Sequence, residues 1–298
     1  MNARELALKF GLHRAGSEWR GSCPACGYPS AFSLTDGKLG PVGWCANCGD
    51  QEAIAQALGN SQKAAKAGTL QADTRNAQAR LERAERLLRG CEPAAQSPIA
   101  CRYLNARRIG HLADCADIRF RLDCPHPTST TDRPVRLPAM VAAVRDIDGK
   151  LCGVHRTYLK RDGSGKANVE PPKASLGPVR GGAVRLAPLE QVLTAGELVI
   201  GEGIETSASA GLLLGLPAWA AVSAGNLAIG VVLPEAIRRV VIASDHDPPD
   251  PQNRCPGQHA ARTAWTRLRR GGRAVRIAMP DIEGQDFGDL LLVKEARQ

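Results

Sequence analysis

Two sets of side chains stand out for the chemistry they can do. The first is a set of thiols, Cys23-Pro24-Ala25-Cys26 and Cys45-Ala46-Asn47-Cys48, spaced C-x2-C-x18-C-x2-C. Two intervening residues let one tight turn aim both sulfurs at a single ion, and two such turns close a tetrahedron around Zn²⁺. Gly27 and Gly49 directly follow the second cysteine of each pair, where the turn needs a residue tolerant of positive φ. Four thiolates leave no open coordination position. The zinc expected at Cys23, Cys26, Cys45 and Cys48 is therefore structural, and its binding, typically ~10–16 kcal/mol, is folding energy. The second set is acidic: Glu202 between Gly201 and Gly203, then Asp245-His246-Asp247, then Asp286-Phe287-Gly288-Asp289. Carboxylates that converge in a chain of net charge +9 repel one another unless a cation neutralises them. Hard oxygen ligands at this density suit Mg²⁺ or Mn²⁺. Such an ion, shared with phosphate oxygens, supports phosphoryl transfer.

The elements that must position these acids are legible around them. Glu197–Gly201, Ala218–Ser223, Arg239–Ser244 and Ala274–Ala278 read as short buried strands. Between them, Glu205–Leu214, Leu227–Ala236 and Gln258–Arg270 read as helices, and a last helix follows Asp286. Strands alternating with helices predict a parallel sheet covered on both faces, whose chemistry sits beyond the carboxyl ends of the strands. Glu202 and the Asp245/Asp247 pair fall at two such ends. The expected fold class is accordingly α/β. An N-terminal ribbon over residues 1–58 is followed by a helical connector (59–90, with a helix over Leu70–Arg89 closed by Gly90), a basic mixed α+β region (91–190) and the parallel-sheet region (191–298). In the third of these, Ala139–Val144 and Leu151–Leu159 flank Asp148-Gly149 and predict a hairpin.

The 298 residues are ample for two domains with a small accessory module, and 43% hydrophobic residues predict a folded chain. The basic balance favours a polyanionic partner. A membrane is excluded as that partner, because no run of about 18 apolar residues occurs and the first residues lack the plan of a signal peptide. The expected location is the cytoplasm, where cysteines serve as metal ligands and buried thiols rather than disulfides. In the ribbon, Phe32 and Trp44 read equally well as stacking surfaces for single-stranded nucleic acid and as the core of a very small module. Gly201 and Gly203 do not begin a dinucleotide-binding fingerprint, since Thr206 stands where the third glycine belongs. No G-x-x-x-x-G-K-[ST] sequence is present, so no helicase motor is encoded here.

Val199-Ile200-Gly201-Glu202-Gly203, followed by β/α alternation and Asp245-x-Asp247, resembles the Toprim domain of primases and topoisomerases. Asp286-Phe287-Gly288-Asp289-Leu290-Leu291 resembles the D-x-N-D-L-L segment near the end of many phage and mobile-element Toprim proteins, with Gly288 at the usual asparagine. A zinc ribbon ahead of a Toprim domain is similar to bacterial and phage primases. In the middle region, Gly153-Val154-His155-Arg156-Thr157 is similar to their G-x-x-G-R-T segment, and Pro172-Lys173-Ala174-Ser175 to their P-K-Y-x-N-S segment.

The resemblance implies a DNA primase, a nucleotidyltransferase making short RNA primers on single-stranded DNA from nucleoside triphosphates. Glu202, Asp245 and Asp247 would bind the catalytic Mg²⁺ or Mn²⁺, with Asp286 and Asp289 as further candidates. Arg156 and Lys173 would face template or nucleotide phosphates, with Arg180 and Arg185 as additional basic contacts. Lacking a motor, such an enzyme would work with a separate replicative helicase or alone on exposed strands. The alternatives are a Toprim nuclease, using the same ions with water as nucleophile, and a non-catalytic DNA-binding replication or recombination protein.

Overall fold

The computed structural model describes residues 2–16, 18–25, 27, 32–37, 40–45, 51–59, 68–129, 132–249 and 255–295. The chain begins with helix α1 (Ala3–Lys9), opened by a capping box in which the Asn2 side chain accepts from Glu5 N and the Glu5 carboxylate accepts from Asn2 N. An antiparallel sheet follows, made of β1 (His13–Ala15), β2 (Glu18–Gly21), β3 (Phe32–Gly37) and β4 (Gly40–Cys45) in that order. Leu6, Leu12, Phe32 and Leu34 form its core with Ile54 and Leu58, from and just beyond α2 (Gln51–Ala57). Phe32 is buried to 1% exposure whereas Trp44 remains 46% exposed, so the two aromatics part company. Phe32 is core, and Trp44 is the ring that faces solvent.

Helix α3 (Gly68–Arg89) realises the expected connector helix and leads into β5 (Glu92–Pro93) and α4 (Pro98–Ala106). A second antiparallel sheet then orders β5 with β6 (Ile118–Pro125), β7 (Arg136–Arg145), β8 (Leu151–Tyr158) and β9 (Lys173–Leu176). The β7–β8 hairpin turns where predicted, with Gly149 at φ +83°, a conformation that favours glycine. Strand β7 reads as an unbroken apolar run because both its faces are covered. Ala139 and Val141 meet Ala84 and Leu87 of α3 on one side. Met140, Ala142 and Val144 meet Tyr103 and Leu104 of α4 on the other, in a core shared with Ile204, Ala208, Ala220 and Leu291 from the C-terminal part.

The third sheet comprises β10 (Val184–Arg185), β11 (Glu197–Gly201), β12 (Ala218–Ala220), β13 (Arg239–Ala243) and β14 (Ala274–Ala278) in the order β10-β12-β11-β13-β14. Here α5 (Leu189–Ala195) lies between β10 and β11, α6 (Ile204–Leu214) between β11 and β12, α7 (Pro256–Arg270) between β13 and β14, and α8 (Phe287–Glu295) follows β14. The pairs β12–β11, β11–β13 and β13–β14 are parallel, as the alternation predicts. Leu198, Ile200, Val240 and Ile242 point to one covering layer with Leu268 of α7, while Val199, Val241 and Ala243 point to the other with Phe287 of α8.

Three local expectations give way. Strand β12 stops at Ala220 rather than Ser223, because Val222 adopts φ +63° and leaves the extended conformation. The helix expected over Leu227–Ala236 is a π-helical turn, Asn226–Gly230. The Asn226 side chain accepts from Gly181 N and donates to the carbonyls of Gly182 and Ala221, tying this turn to a neighbouring loop, and Pro234 bars continuation. Finally, Val184–Arg185, assigned from composition to the middle region, pairs antiparallel with β12 and so belongs to the third sheet.

Candidate functional site

The carboxyl end of β11 runs into the first turn of α6 through Gly201-Glu202-Gly203. Gly201 is required there by close approach, since a Cβ would sit 2.9 Å from Ser207 Oγ and 3.2 Å from the Ala243 carbonyl. Ser207 closes this turn on itself, accepting from Gly201 N at 3.1 Å and donating to Gly203 O at 2.7 Å. Glu202 is thereby fixed at the strand end, half-buried. Parallel to it, β13 ends at Ala243 and delivers Asp245 and Asp247. Their loop is pinned to the segment before α8, with His246 N donating to Gln285 O, Gly284 N to His246 O, and His246 Nδ1 2.8 Å from Pro280 O.

Glu202, Asp245 and Asp247, all expected from sequence, line one cavity of about 30 Å³ together with Thr206 and Ser244. A cavity needs roughly 10–15 Å³ of such space to hold one water, so a small ion has room here. Thr206 Oγ1 donates to Asp245 Oδ2 at 2.9 Å, while Asp245 Oδ1 is buried with no hydrogen-bond partner. Burial above all, and then the charges of Asp286, Asp247 and Glu202, push the Asp245 carboxyl up to about 6 against the pull of the Thr206 bond. A buried, unsatisfied carboxylate oxygen among acids is what a cation would relieve. Among the described residues, however, no three Asp, Glu, His or Cys side chains are drawn into a ready-made metal cluster. A larger cavity of about 540 Å³ lies elsewhere, at the start of β12, where His111 is its one titratable lining group.

Asp286 and Asp289 have an occupation that the sequence reading did not give them. Asp289 N donates to Asp286 Oδ1 at 2.9 Å and Asp286 N to Asp289 Oδ2 at 3.1 Å, a reciprocal cap at the start of α8. Asp286 still acts on Asp245 through its charge.

The basic candidates separate into two kinds. Arg156 is buried, and its Nε, Nη1 and Nη2 donate to the carbonyls of Ala174, Pro125 and Ser175. Arg185 donates to the carbonyls of Asp146 and Ile147 and stacks 4.9 Å from the Trp219 ring centroid. These two guanidiniums hold loops together. Lys173 heads β9 half-buried, and Arg180 is exposed.

Sequence reasoning missed Thr206 and a network around Glu205. Tyr103 Oη donates to Glu205 Oε1 at 2.5 Å, and Lys166 Nζ lies 3.2 Å from the same oxygen. Burial alone would push the Glu205 carboxyl up, yet Lys166, Lys173 and the Tyr103 hydroxyl together hold it well below the usual carboxylate range. His155 beside them is driven down to about 3 by burial and by Lys173, and so is neutral. Partners 102 and 39 residues apart leave no periodic or motif signal by which sequence could have joined them.

In the N-terminal sheet, Cys23 lies just beyond β2 and Cys45 ends β4. The register aligns Gly21 with Phe32 and Phe32 with Cys45, so both thiols emerge at the same end of the sheet, and both are buried. Gly27 takes φ +72° and its N–H donates to Cys23 O at 2.7 Å, the turn expected after a first cysteine pair. Cys26 and Cys48, and with them Gly49, lie outside the described residues. No described helix is long and apolar enough to cross a membrane.

Comparison with known proteins places these features. Residues 78–186 match a domain of unknown function, DUF7146, and residues 197–296 match the Toprim domain. No curated protein matches the chain. Among solved structures, the chain is similar to a DNA primase domain from Pseudomonas aeruginosa at 16% identity and TM-score 0.49, covering 72% of this chain and 75% of that one. It is also similar to a DnaG primase catalytic domain bound to single-stranded DNA, at 16% and 0.45, covering 76% and 81%. A third likeness is to the zinc-binding and RNA polymerase domains of the Aquifex aeolicus primase, at 16% and 0.40, covering 100% and 82%. Glu202, Asp245, Asp247 and the α8 cap all lie within residues 197–296, the part of the chain that matches the Toprim domain.

Proposed function

We propose that this chain is a primase-type nucleotidyltransferase that joins nucleoside triphosphates on a single-stranded DNA template. The observation that carries the reading is the convergence of Glu202, Asp245 and Asp247 on one cavity at adjacent strand ends, with Asp245 Oδ1 left unpartnered. Glu202, Asp245 and Asp247 would hold Mg²⁺ or Mn²⁺, which supplies charge stabilisation at a transferring phosphoryl group and a more acidic attacking hydroxyl. Thr206 holds Asp245 by its Oδ2 and leaves Oδ1 unpartnered for the ion. Asp286 and Asp289 contribute negative charge from the α8 cap rather than direct ligation. Lys173 and Arg180, whose side chains are not committed to backbone carbonyls, are the basic groups for template and nucleotide phosphates. Arg156 and Arg185 support them by fixing the loops.

At the N-terminus, Cys23, Cys26, Cys45 and Cys48 would bind structural Zn²⁺, and Trp44 offers the exposed ring on which a template base could stack. A separate helicase would supply single-stranded template.

The test is incorporation of labelled nucleotide on unprimed single-stranded DNA with Mg²⁺ or Mn²⁺, comparing wild type with Glu202→Ala. New oligonucleotides made by wild type and absent with the variant are expected. Degradation of the template instead would replace this reading with a nuclease. An intact template without product, even with a helicase present, would favour a non-catalytic DNA-binding protein.

A further inference from the structure

The first turn of α6 carries one carboxylate that faces away from the acidic cavity. Glu205 follows Glu202 by three residues, yet its partners come from the middle region: Tyr103 of α4, Lys166 in the loop between β8 and β9, and the charge of Lys173 on β9. Its side chain is 16% exposed and that of Lys166 is 32% exposed. Placing an ammonium and a carboxylate in such a site costs desolvation that a well-packed apolar pair would avoid, so the pair is weak evidence for stability alone. Its charge is also unbalanced. Lys166 pairs directly with the one carboxylate, Lys173 acts on it through its charge, and His155, held neutral, adds no further positive charge. The pocket therefore keeps a surplus positive charge beside the turn of chain that presents Glu202.

We propose that Glu205 is a positioning residue that holds Lys166 against the metal-bearing turn, where the Lys166 ammonium binds a phosphate of the incoming triphosphate. This rests on the nucleotidyltransferase reading and deepens it. Lys166 lies outside both basic segments that the sequence singles out, and its loop is held by an isolated bridge between Leu159 and Lys166 and by Lys160 N donating to Gly165 O. Glu205 sets where the ammonium stands, and Tyr103 holds the carboxylate by donating to the same Oε1. The substrate then supplies the second anion that the two lysines lack. A contact serving only to tether the two regions would need no surplus charge.

The experiment measures binding of adenosine 5′-(α,β-methylene)triphosphate with Mg²⁺ to the full chain by calorimetry, alongside Mn²⁺ affinity and thermal melting. Lys166→Met and Glu205→Gln are each expected to weaken triphosphate binding about tenfold or more while leaving Mn²⁺ affinity within about twofold. Arg161→Ala, an exposed change in the same loop, is the control and should alter neither. Glu205→Asp, which keeps the charge, should recover part of the loss. If Lys166→Met and Glu205→Gln lower the melting temperature but leave triphosphate affinity unchanged, the pair is only a tether and the proposal fails while the nucleotidyltransferase reading stands. If wild type binds no triphosphate, both fail together.

Discussion

Replacing Asp245 by asparagine should make the metal-free protein more stable while removing its ability to hold the ion. The Asp245 carboxyl is raised from 3.8 to about 6, first by burial and then by three neighbouring carboxylates. The folded state therefore holds this proton more tightly than the unfolded chain does. Stability from this group is fully present below pH ~4 and is lost as pH rises through about 6. Above that, the displacement corresponds to at most ~3 kcal/mol, using ~1.4 kcal/mol per pKa unit. Asparagine keeps an oxygen for the Thr206 hydroxyl and removes the charge. Asp245→Asn should then melt up to ~6–12 °C higher than wild type at pH 7.5, at ~2–4 °C per kcal/mol for a unit of this size. The assay is scanning calorimetry of zinc-loaded, Mg²⁺-free protein at pH 7.5 and pH 4. The gap between variant and wild type should shrink at pH 4, and added Mg²⁺ should raise the melting temperature of wild type alone. A variant no more stable than wild type at pH 7.5 would falsify the idea that Asp245 is held in an unfavourable charged state for an incoming cation.

Other perturbations separate the remaining roles. Thr206→Val should weaken Mn²⁺ binding by roughly five- to tenfold, the worth of one hydrogen bond of ~1 kcal/mol, and Thr206→Ser should restore it; spin-resonance titration of free Mn²⁺ decides. Cys45→Ser should take zinc from one equivalent per chain to none by elemental analysis. In the same variant, amide exchange should accelerate across residues 3–58 and stay slow in β7 and β13; an unchanged zinc content removes the ribbon assignment. Arg156→Met removes three hydrogen bonds to partly buried carbonyls and should cost ~3 kcal/mol in urea unfolding, whereas Lys173→Met should cost under ~1 kcal/mol. Equal losses would erase the distinction between loop-holding and phosphate-facing basic residues.

What sequence reveals here depends on whether the cause is local. Glu202 and the Asp245/Asp247 pair were legible because strand and helix periodicity places them at adjacent strand ends without knowledge of their contacts. The β7–β8 hairpin and α3 were legible for the same reason. The turn at Asn226 was not, because its shape comes from three side-chain bonds to Gly181, Gly182 and Ala221 rather than from the apolar pattern of 227–236. Arg156 illustrates the converse. A motif match identified the residue, but only packing shows that its guanidinium is consumed by carbonyls of Pro125, Ala174 and Ser175. Thr206 is an unremarkable helix residue until β13 brings Asp245 beside it.

The two-residue strand β10 bears on how this chain can be cut and recombined. A gene fragment begun at residue 191, where composition changes, would lose the antiparallel neighbour of β12 and expose one margin of the parallel sheet. It would also lose Val184 and Tyr103, and with them much of the core into which Ile204 packs. A fragment begun near residue 78 keeps both. Shuffling between relatives should thus succeed at the ribbon, whose described core draws on no residue beyond Leu58, and fail at the boundary that looks most natural in the sequence.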